Sequence, residues 1–220
     1  MSSNLKKRIL TSILLFSLLI VMFLYTYVMI ISLIIIAIIS WIEFYALISK
    51  IIKKNHLIDR FLRFLYKTLS LFYLSGLVYL FFAIESGYSN LKIYLLYSVL
   101  VAIMSDIGGL IFGKIFKGKK LTKISPNKTI SGSIGSFIFS ASLIPFFYKF
   151  QIDHALLSIL VITIIISATS QLGDLFISLL KRKAKVKDTS DLLPGHGGVL
   201  DRIDGIIFAI PLGIYLFIVI

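Results

Sequence analysis

The residues best suited to chemistry form a stripe: Ser167, Gln171, Asp174, Ser178 and Lys181, spaced four, three, four and three apart. In a helix that spacing puts all five on one face. The flanking sequence is apolar, and a polar stripe on a membrane helix must face protein or water, because lipid offers no hydrogen bonds. Ser167 and Gln171 suit helix–helix hydrogen bonding as well as they suit chemistry. Asp174 and Lys181 are costlier to keep at such a depth, and ionisable groups there point to function by default.

The stripe leads into a polar island, residues 174–205. It holds five of the ten acids (Asp174, Asp188, Asp191, Asp201, Asp204) and six of the 23 bases. Asp201 and Asp204 share a helical face at the start of the last apolar run. Acids favour helix N-termini, which accounts for one of them. Two, with Asp174 within reach of the same interface, suit a hard cation, since Mg²⁺ takes a few carboxylates plus substrate phosphate oxygens. Before them lies Pro194-Gly195-His196-Gly197-Gly198. Such glycines form a plain turn or let backbone N–H groups converge on an anion. Lys181, Arg182, Lys187 and Arg202 flank the run and favour a phosphate cradle, with His196 as a further donor. Asp106 sits inside another apolar run, before Gly108-Gly109. It calls for a partner, either a loop lysine or a cation.

Two other motifs lead nowhere. Gly108 to Lys114 has the spacing of a P-loop, but Ile115 follows and no strand precedes it. Asn127-Lys128-Thr129 is a glycosylation sequon in a basic loop whose topology points to the cytoplasm.

The elements that position these residues follow from composition. The chain has 220 residues, is 58% hydrophobic and has a mean hydropathy of +0.99. Apolar runs long enough to span a bilayer recur, which predicts an all-α polytopic membrane protein with about seven transmembrane helices. Two spans fit within 9–49, with a tight turn near Tyr25–Tyr27 and Glu43 as the one acid. The others are 68–84, 93–113, 130–148, 155–177 and 205–220, with 50–67 as an interfacial helix or loop. Small residues from Ser131 to Ser136 predict close helix packing. Residues 1–220 read as one transmembrane domain, with 1–92 of general character and 93–220 the catalytic half. The apolar run after Lys6-Lys7-Arg8 is too long for a cleavable signal and reads as a retained first span.

With the N-terminus inside, segments 1–8, 50–67, 114–129 and 178–204 hold 21 of the 23 Lys and Arg residues. That asymmetry puts the N-terminus, the 114–129 loop and the polar island on the cytoplasmic face. The net charge of +13 then reads as anionic-lipid contact and topology control, not nucleic-acid binding. The absence of cysteine excludes disulfides, thiolate chemistry and Cys-based zinc sites.

Ser178-x-x-Lys181-Arg182, Lys187-Asp188 and Pro194-Gly195-His196-Gly197-Gly198-x-x-Asp201-Arg202-x-Asp204 together resemble the signature of the phosphatidate cytidylyltransferases, or CDP-diacylglycerol synthases. Gln171-x-Gly173-Asp174, Asp106 and the Ser125-Pro126-x-Lys128-Thr129 loop are similar to that family too. Where the family continues the loop with Trp, then Glu or Gln, then Gly, this chain has Ile130, Ser131 and Gly132. The chain is also short for the family, and upstream of 104 the likeness is general.

The resemblance implies transfer of the cytidylyl group of CTP to phosphatidate, giving CDP-diacylglycerol and pyrophosphate, with Mg²⁺ and room for a second cation. It implies that Asp174 and Asp201 hold the metal with Asp204 or Asp106. Ser178, Lys181 and Arg182 would hold phosphate, and Lys128 and Arg202 would assist pyrophosphate. Lys187, Asp188, Gly195, His196, Gly197 and Gly198 complete the substrate-binding set. The expected partners are CTP, phosphatidate and membrane lipid, with a homodimer left open. The expected place is the inner cell membrane, with the active site facing the cytoplasm. Two alternatives remain at this point. One is a CTP-dependent transferase or kinase acting on another membrane lipid. The other, more distant, is a cation transporter using Asp106 and Asp174.

Overall fold

A long apolar run in lipid can satisfy its backbone only by turning helical, and helices dominate the chain. The computed structural model describes residues 3–54, 56–150, 154–195 and 197–220; His196 lies outside the described residues. Among them the helices are α1 (Ser3–Leu24), α2 (Thr26–Ile51), α3 (Leu57–Ser86), α4 (Lys92–Phe116), α5 (Ile130–Ala141), α6 (Ile144–Phe150), α7 (Leu156–Lys183), α8 (Leu200–Ile203) and α9 (Ile206–Val219). Extended pairing among the described residues is limited to two isolated bridges, Lys120 with Thr129 and Leu193 with Gly197. Among the described residues six segments are long and apolar enough to cross a membrane, and α1 adds a shorter apolar stretch, Ile13–Met22. The chain is an all-α, multi-pass membrane protein.

Several boundaries differ from those the sequence suggests. The first apolar run breaks at Tyr25, as expected. The basic 57–67 segment and the following span form one helix of 30 residues. At 1.5 Å per residue it is about 45 Å long, well beyond the ~30 Å hydrocarbon core, so its charged end has room to project. Leu, Arg and Lys are good helix formers, so nothing in 57–67 stops it. The 130–148 run breaks after Ala141 and resumes at Ile144. Pro145 follows at once, in the first helical turn, where its missing N–H costs nothing. Helix α7 continues six residues past the expected 177, so the stripe stays helical through Lys181.

The chain divides into two compact units. One comprises 1–87 with 180–203, so α1–α3 share it with the polar loop after α7. The other comprises 88–179 with 204–220. Its apolar core joins Tyr97, Val101 and Ala102 of α4, Ile159, Ile162 and Ile166 of α7, and Ala209 and Phe217 of α9. Buried hydroxyls knit α4 to α7 and to α5. Tyr97 Oη and Thr163 Oγ1 lie 2.6 Å apart, Ser105 and Ser167 Oγ 3.0 Å apart, and Ser136 Oγ donates to the Ser105 carbonyl at 2.7 Å.

Within that second unit, α4 and α5 meet through glycines. A Cβ on Gly108 would collide with the Gly135 carbonyl and lie 2.6 Å from Phe139 Cβ, and one on Gly135 would strike Phe112. The Gly108–Lys114 motif is therefore a packing surface, and the expected close approach of small residues is present.

Candidate functional site

The 114–129 loop is a compact hairpin. Lys117 and Gly118 take positive φ values of 49° and 105°. Leu121 N donates to the Lys128 carbonyl at 2.8 Å and Ile130 N to the Lys119 carbonyl at 3.0 Å. Thr129 caps α5 by accepting from Gly132 N at 3.0 Å. Thr129 and Ser131 hydroxyls lie 3.0 Å apart, and Ser131 also donates to the Lys117 carbonyl. Ser131, where the resembled family carries Glu or Gln, thus ties the base of the hairpin. The hairpin delivers Lys128 to α7, where its Nζ forms an ion pair with Asp174 Oδ2. Ser178, one turn along, donates to Asp174 Oδ1 at 3.2 Å. Both ionic side chains keep about a quarter of their surface exposed, 27% for Lys128 and 25% for Asp174.

The rest of the stripe divides as its chemistry suggests. Gln171 accepts from Ser133 Oγ at 2.6 Å, and Ser167 pairs with Ser105. Those two residues are interhelical glue within their unit. Asp204 is buried, and its Oδ1 accepts from Gly205 N at 2.9 Å. Gly173 lets α7 approach the Asp204 carbonyl, which a Cβ would meet at 2.8 Å. Asp106 lies on an exposed face of α4, not in the protein interior, because its neighbour Ser105 and Gly108 take the buried face. Among the described residues no group of three or more His, Asp and Glu side chains is assembled for a metal ion.

In the other unit, α7 ends in a Schellman turn: Val186 N donates to the Lys181 carbonyl at 3.0 Å and Lys185 N to that of Arg182 at 3.1 Å. Lys185 takes the left-handed position, φ 57°. Gly195 and Gly197 have φ values of 78° and 82°, conformations that favour glycine. Leu193 N closes the turn on the Gly197 carbonyl at 2.8 Å, and Thr11 Oγ1 donates to the Pro194 carbonyl at 3.0 Å. Asp201 organises the loop. Its Oδ1 accepts from Lys181 Nζ at 2.6 Å, and its Oδ2 accepts from Thr189 N at 2.8 Å, Thr189 Oγ1 at 3.0 Å and Gly198 N at 3.0 Å. Only 3% of the Asp201 side chain is exposed, and 13% of Lys181. Arg182, Lys187, Asp188, Gly195 and Arg202 lie on the exposed surface.

Sequence reasoning missed the acid beneath this loop. Glu43 of α2 is buried and accepts from both ends of the loop. Its only sequence signal was its solitude in a 41-residue apolar stretch, where an acid must be held by something. Thr189 and Ser190, which bind it, carried no signal.

Comparison with known proteins identifies the chain's relatives. The model of a family described as "Cytidylyltransferase family" matches residues 2–220. A protein named phosphatidate cytidylyltransferase from Staphylococcus haemolyticus is 48% identical over 124 residues, covering 54% of this chain and 46% of that protein. Proteins of the same name from Staphylococcus saprophyticus and Staphylococcus aureus are 45% identical over 122 residues and 44% over 124, with the same coverage. The matched stretch thus spans about half the length of these curated relatives.

Proposed function

We propose that this chain, which belongs to the cytidylyltransferase family, transfers the cytidylyl group of CTP to phosphatidate, giving CDP-diacylglycerol and pyrophosphate. The observation that carries the reading is the geometry of the glycine turn. Its backbone is fixed by Asp201, and the same carboxylate holds Lys181. A lysine held beside an ordered turn with two positive-φ glycines, Gly195 and Gly197, suits a polyphosphate.

In the reaction a phosphate oxygen of the lipid forms a bond to the α-phosphorus of CTP, and the bond from that phosphorus to the bridging oxygen breaks. Pyrophosphate leaves with the electron pair. The nucleophile is already an anion, so no Ser-His or Cys-His activation is needed, in keeping with no Cys and three His. The barrier is the approach of like charges, and fixed cations lower it by positioning and neutralisation. Lys181, Arg182 and Ser178 are assigned to the phosphates, Lys128 and Arg202 to the departing pyrophosphate, and Lys187 to substrate binding. Gly195, His196, Gly197 and Gly198 are assigned to the cradle, with Asp188 lying against Gly197.

The donor set fits Mg²⁺ best at Asp174. Its carboxylate is a hard donor, partly exposed, and its present counter-ion is an exchangeable lysine. Asp201 would have to release Lys181 or loop amides to take a cation. Asp204 and Asp106 are further candidates for a first or second cation. When bound, Mg²⁺ would neutralise phosphate charge. The distribution of Lys and Arg supports a cytoplasmic active site in a cell membrane.

The test is transfer of label from α-³²P-CTP into extractable lipid, using the full chain in mixed micelles with phosphatidate, with and without Mg²⁺. Metal-dependent labelling, lost in Asp174→Asn, is expected. Folded protein that labels no lipid overturns the reaction, and labelling that survives Asp174→Asn overturns the metal assignment.

A further inference from the structure

Glu43 is the one acid between residues 9 and 49. It lies 4% exposed on a largely apolar helix that has no other acid. Its Oε1 accepts from Ser190 Oγ at 2.6 Å and Val199 N at 3.0 Å. Its Oε2 accepts from Thr189 Oγ1 at 2.9 Å and Leu200 N at 2.8 Å. Two of these donors enter the glycine loop and two leave it. One carboxylate thus closes the loop at its base.

The fit is tight. A Cβ on Gly198 would lie 2.6 and 2.7 Å from the two Glu43 oxygens. Thr189 Oγ1 is also 3.0 Å from Asp201 Oδ2, so its one proton is shared between the two carboxylates. Asp201 in turn holds Lys181. A continuous set of contacts, all within one unit, therefore runs from α2 through Thr189 and Asp201 to a proposed phosphate-binding lysine.

A loop with two glycines at positive φ has many conformations of similar energy, and ordering it on binding would weaken affinity. A buried carboxylate is stable only where its acceptor positions are filled. Glu43 therefore favours the loop conformation that fills them.

We propose that Glu43 is a positioning residue for nucleotide binding: by tying Thr189, Ser190, Val199 and Leu200 it selects the conformation in which the glycine turn and Lys181 receive the triphosphate of CTP. This rests on the reading of that loop as a phosphate cradle. Glu43 itself does not touch the nucleotide.

The test uses the detergent-solubilised full chain and three readouts: equilibrium dialysis of CTP, the kcat and KM for each substrate, and the rate of tryptic cleavage at Lys183, Lys185 and Lys187. Glu43→Gln keeps the size of the side chain but turns an amide nitrogen toward two donors. Its Kd and KM for CTP should rise by about 10- to 100-fold, the scale of one or two lost bonds to a charged group. Its KM for phosphatidate should stay within about twofold, and cleavage should be faster, because the effect is confined to the loop. Ser190→Ala should shift CTP affinity about threefold the same way, and the two changes should not multiply, since they act on one network.

An unchanged CTP Kd in folded Glu43→Gln overturns the proposal, as does a fall in kcat alone or equal weakening toward both substrates. If Glu43→Gln does not fold, Ser190→Ala and Thr189→Val decide, and an unchanged CTP Kd in both overturns it. Unmutated protein that binds CTP but transfers nothing to phosphatidate refutes the proposed reaction while leaving this role for Glu43 standing. Unmutated protein that does not bind CTP overturns both.

Discussion

Replacing Gly198 by alanine places a methyl group on the oxygens of Glu43 and on the Thr189 hydroxyl. The new Cβ would sit 2.6 and 2.7 Å from the carboxylate oxygens, where ordinary contact begins at 3.4 Å. Something must move by about 0.8 Å to clear the nearer carboxylate oxygen. Glu43 is poorly placed to move, being buried on α2 and holding four donors. The loop must shift instead. Val199 N and Leu200 N now lie 3.0 and 2.8 Å from the carboxylate, so the same displacement takes them to or past the hydrogen-bonding limit. Hydrogen bonds to a charged acceptor are worth about 1.5–3 kcal/mol each. With partial relaxation the net cost is about 3 kcal/mol, or roughly 100-fold in the fraction of molecules with the loop closed. Hydrogen exchange of the 189–200 amides reads that fraction directly, and labelling of lipid from CTP should fall with it. Protection in Gly198→Ala within threefold of the parent would show that the loop is not held as described.

Gly135→Ala should separate α4 from α5 and cost about 1–3 kcal/mol as overpacking, because its Cβ would strike Phe112. Gly76→Ala on α3 meets nothing within 4 Å and should be neutral or stabilising by up to ~1 kcal/mol; thermal melts of the two in one detergent check the contrast. Lys185→Gly should raise the melting temperature slightly, by relieving about 1–2 kcal/mol of left-handed strain at the end of α7; a lower melting temperature would mean that the Lys185 side chain stabilises the turn.

Local pattern carried most of the fold. The stripe on α7 and the small residues facing α4 were readable because helical spacing is a property of neighbours in sequence. The break at Ser142-Leu143 and the long α3 were less so, since the 130–148 run is apolar throughout and basic residues propagate a helix as readily as Leu does. At the site, residue types pointed to phosphate and metal chemistry, but contacts were invisible. Nothing in sequence says that Lys128 meets Asp174 or that Glu43 sits under Thr189 and Ser190, residues separated by 146 and 147 positions. Such pairings come from packing, which one sequence does not display. The usable hint was energetic: an isolated acid in an apolar run must have donors somewhere.

The two acids that stood out in sequence, Asp174 and Asp201, now divide by how fully they are held. Asp174 has a lysine and a serine and is 25% exposed; Asp201 has a lysine, a hydroxyl and two amides and is 3% exposed. A partly exposed ion pair contributes about 0–1 kcal/mol, so Asp174→Asn should leave the fold intact and remove only a charge that substrate or cation would use. Breaking a buried pair costs about 3–5 kcal/mol, and an asparagine at 201 offers one acceptor oxygen to a lysine and three loop donors. Asp201→Asn should therefore open the loop before any question of chemistry arises. Tryptic cleavage after Lys183, Lys185 and Lys187 separates the two cases without substrate. It should be fast in Asp201→Asn and near the parent rate in Asp174→Asn. Equal opening in both variants would show that the carboxylates act as one unit, and the assignment of Asp201 to loop geometry and Asp174 to charge would be wrong.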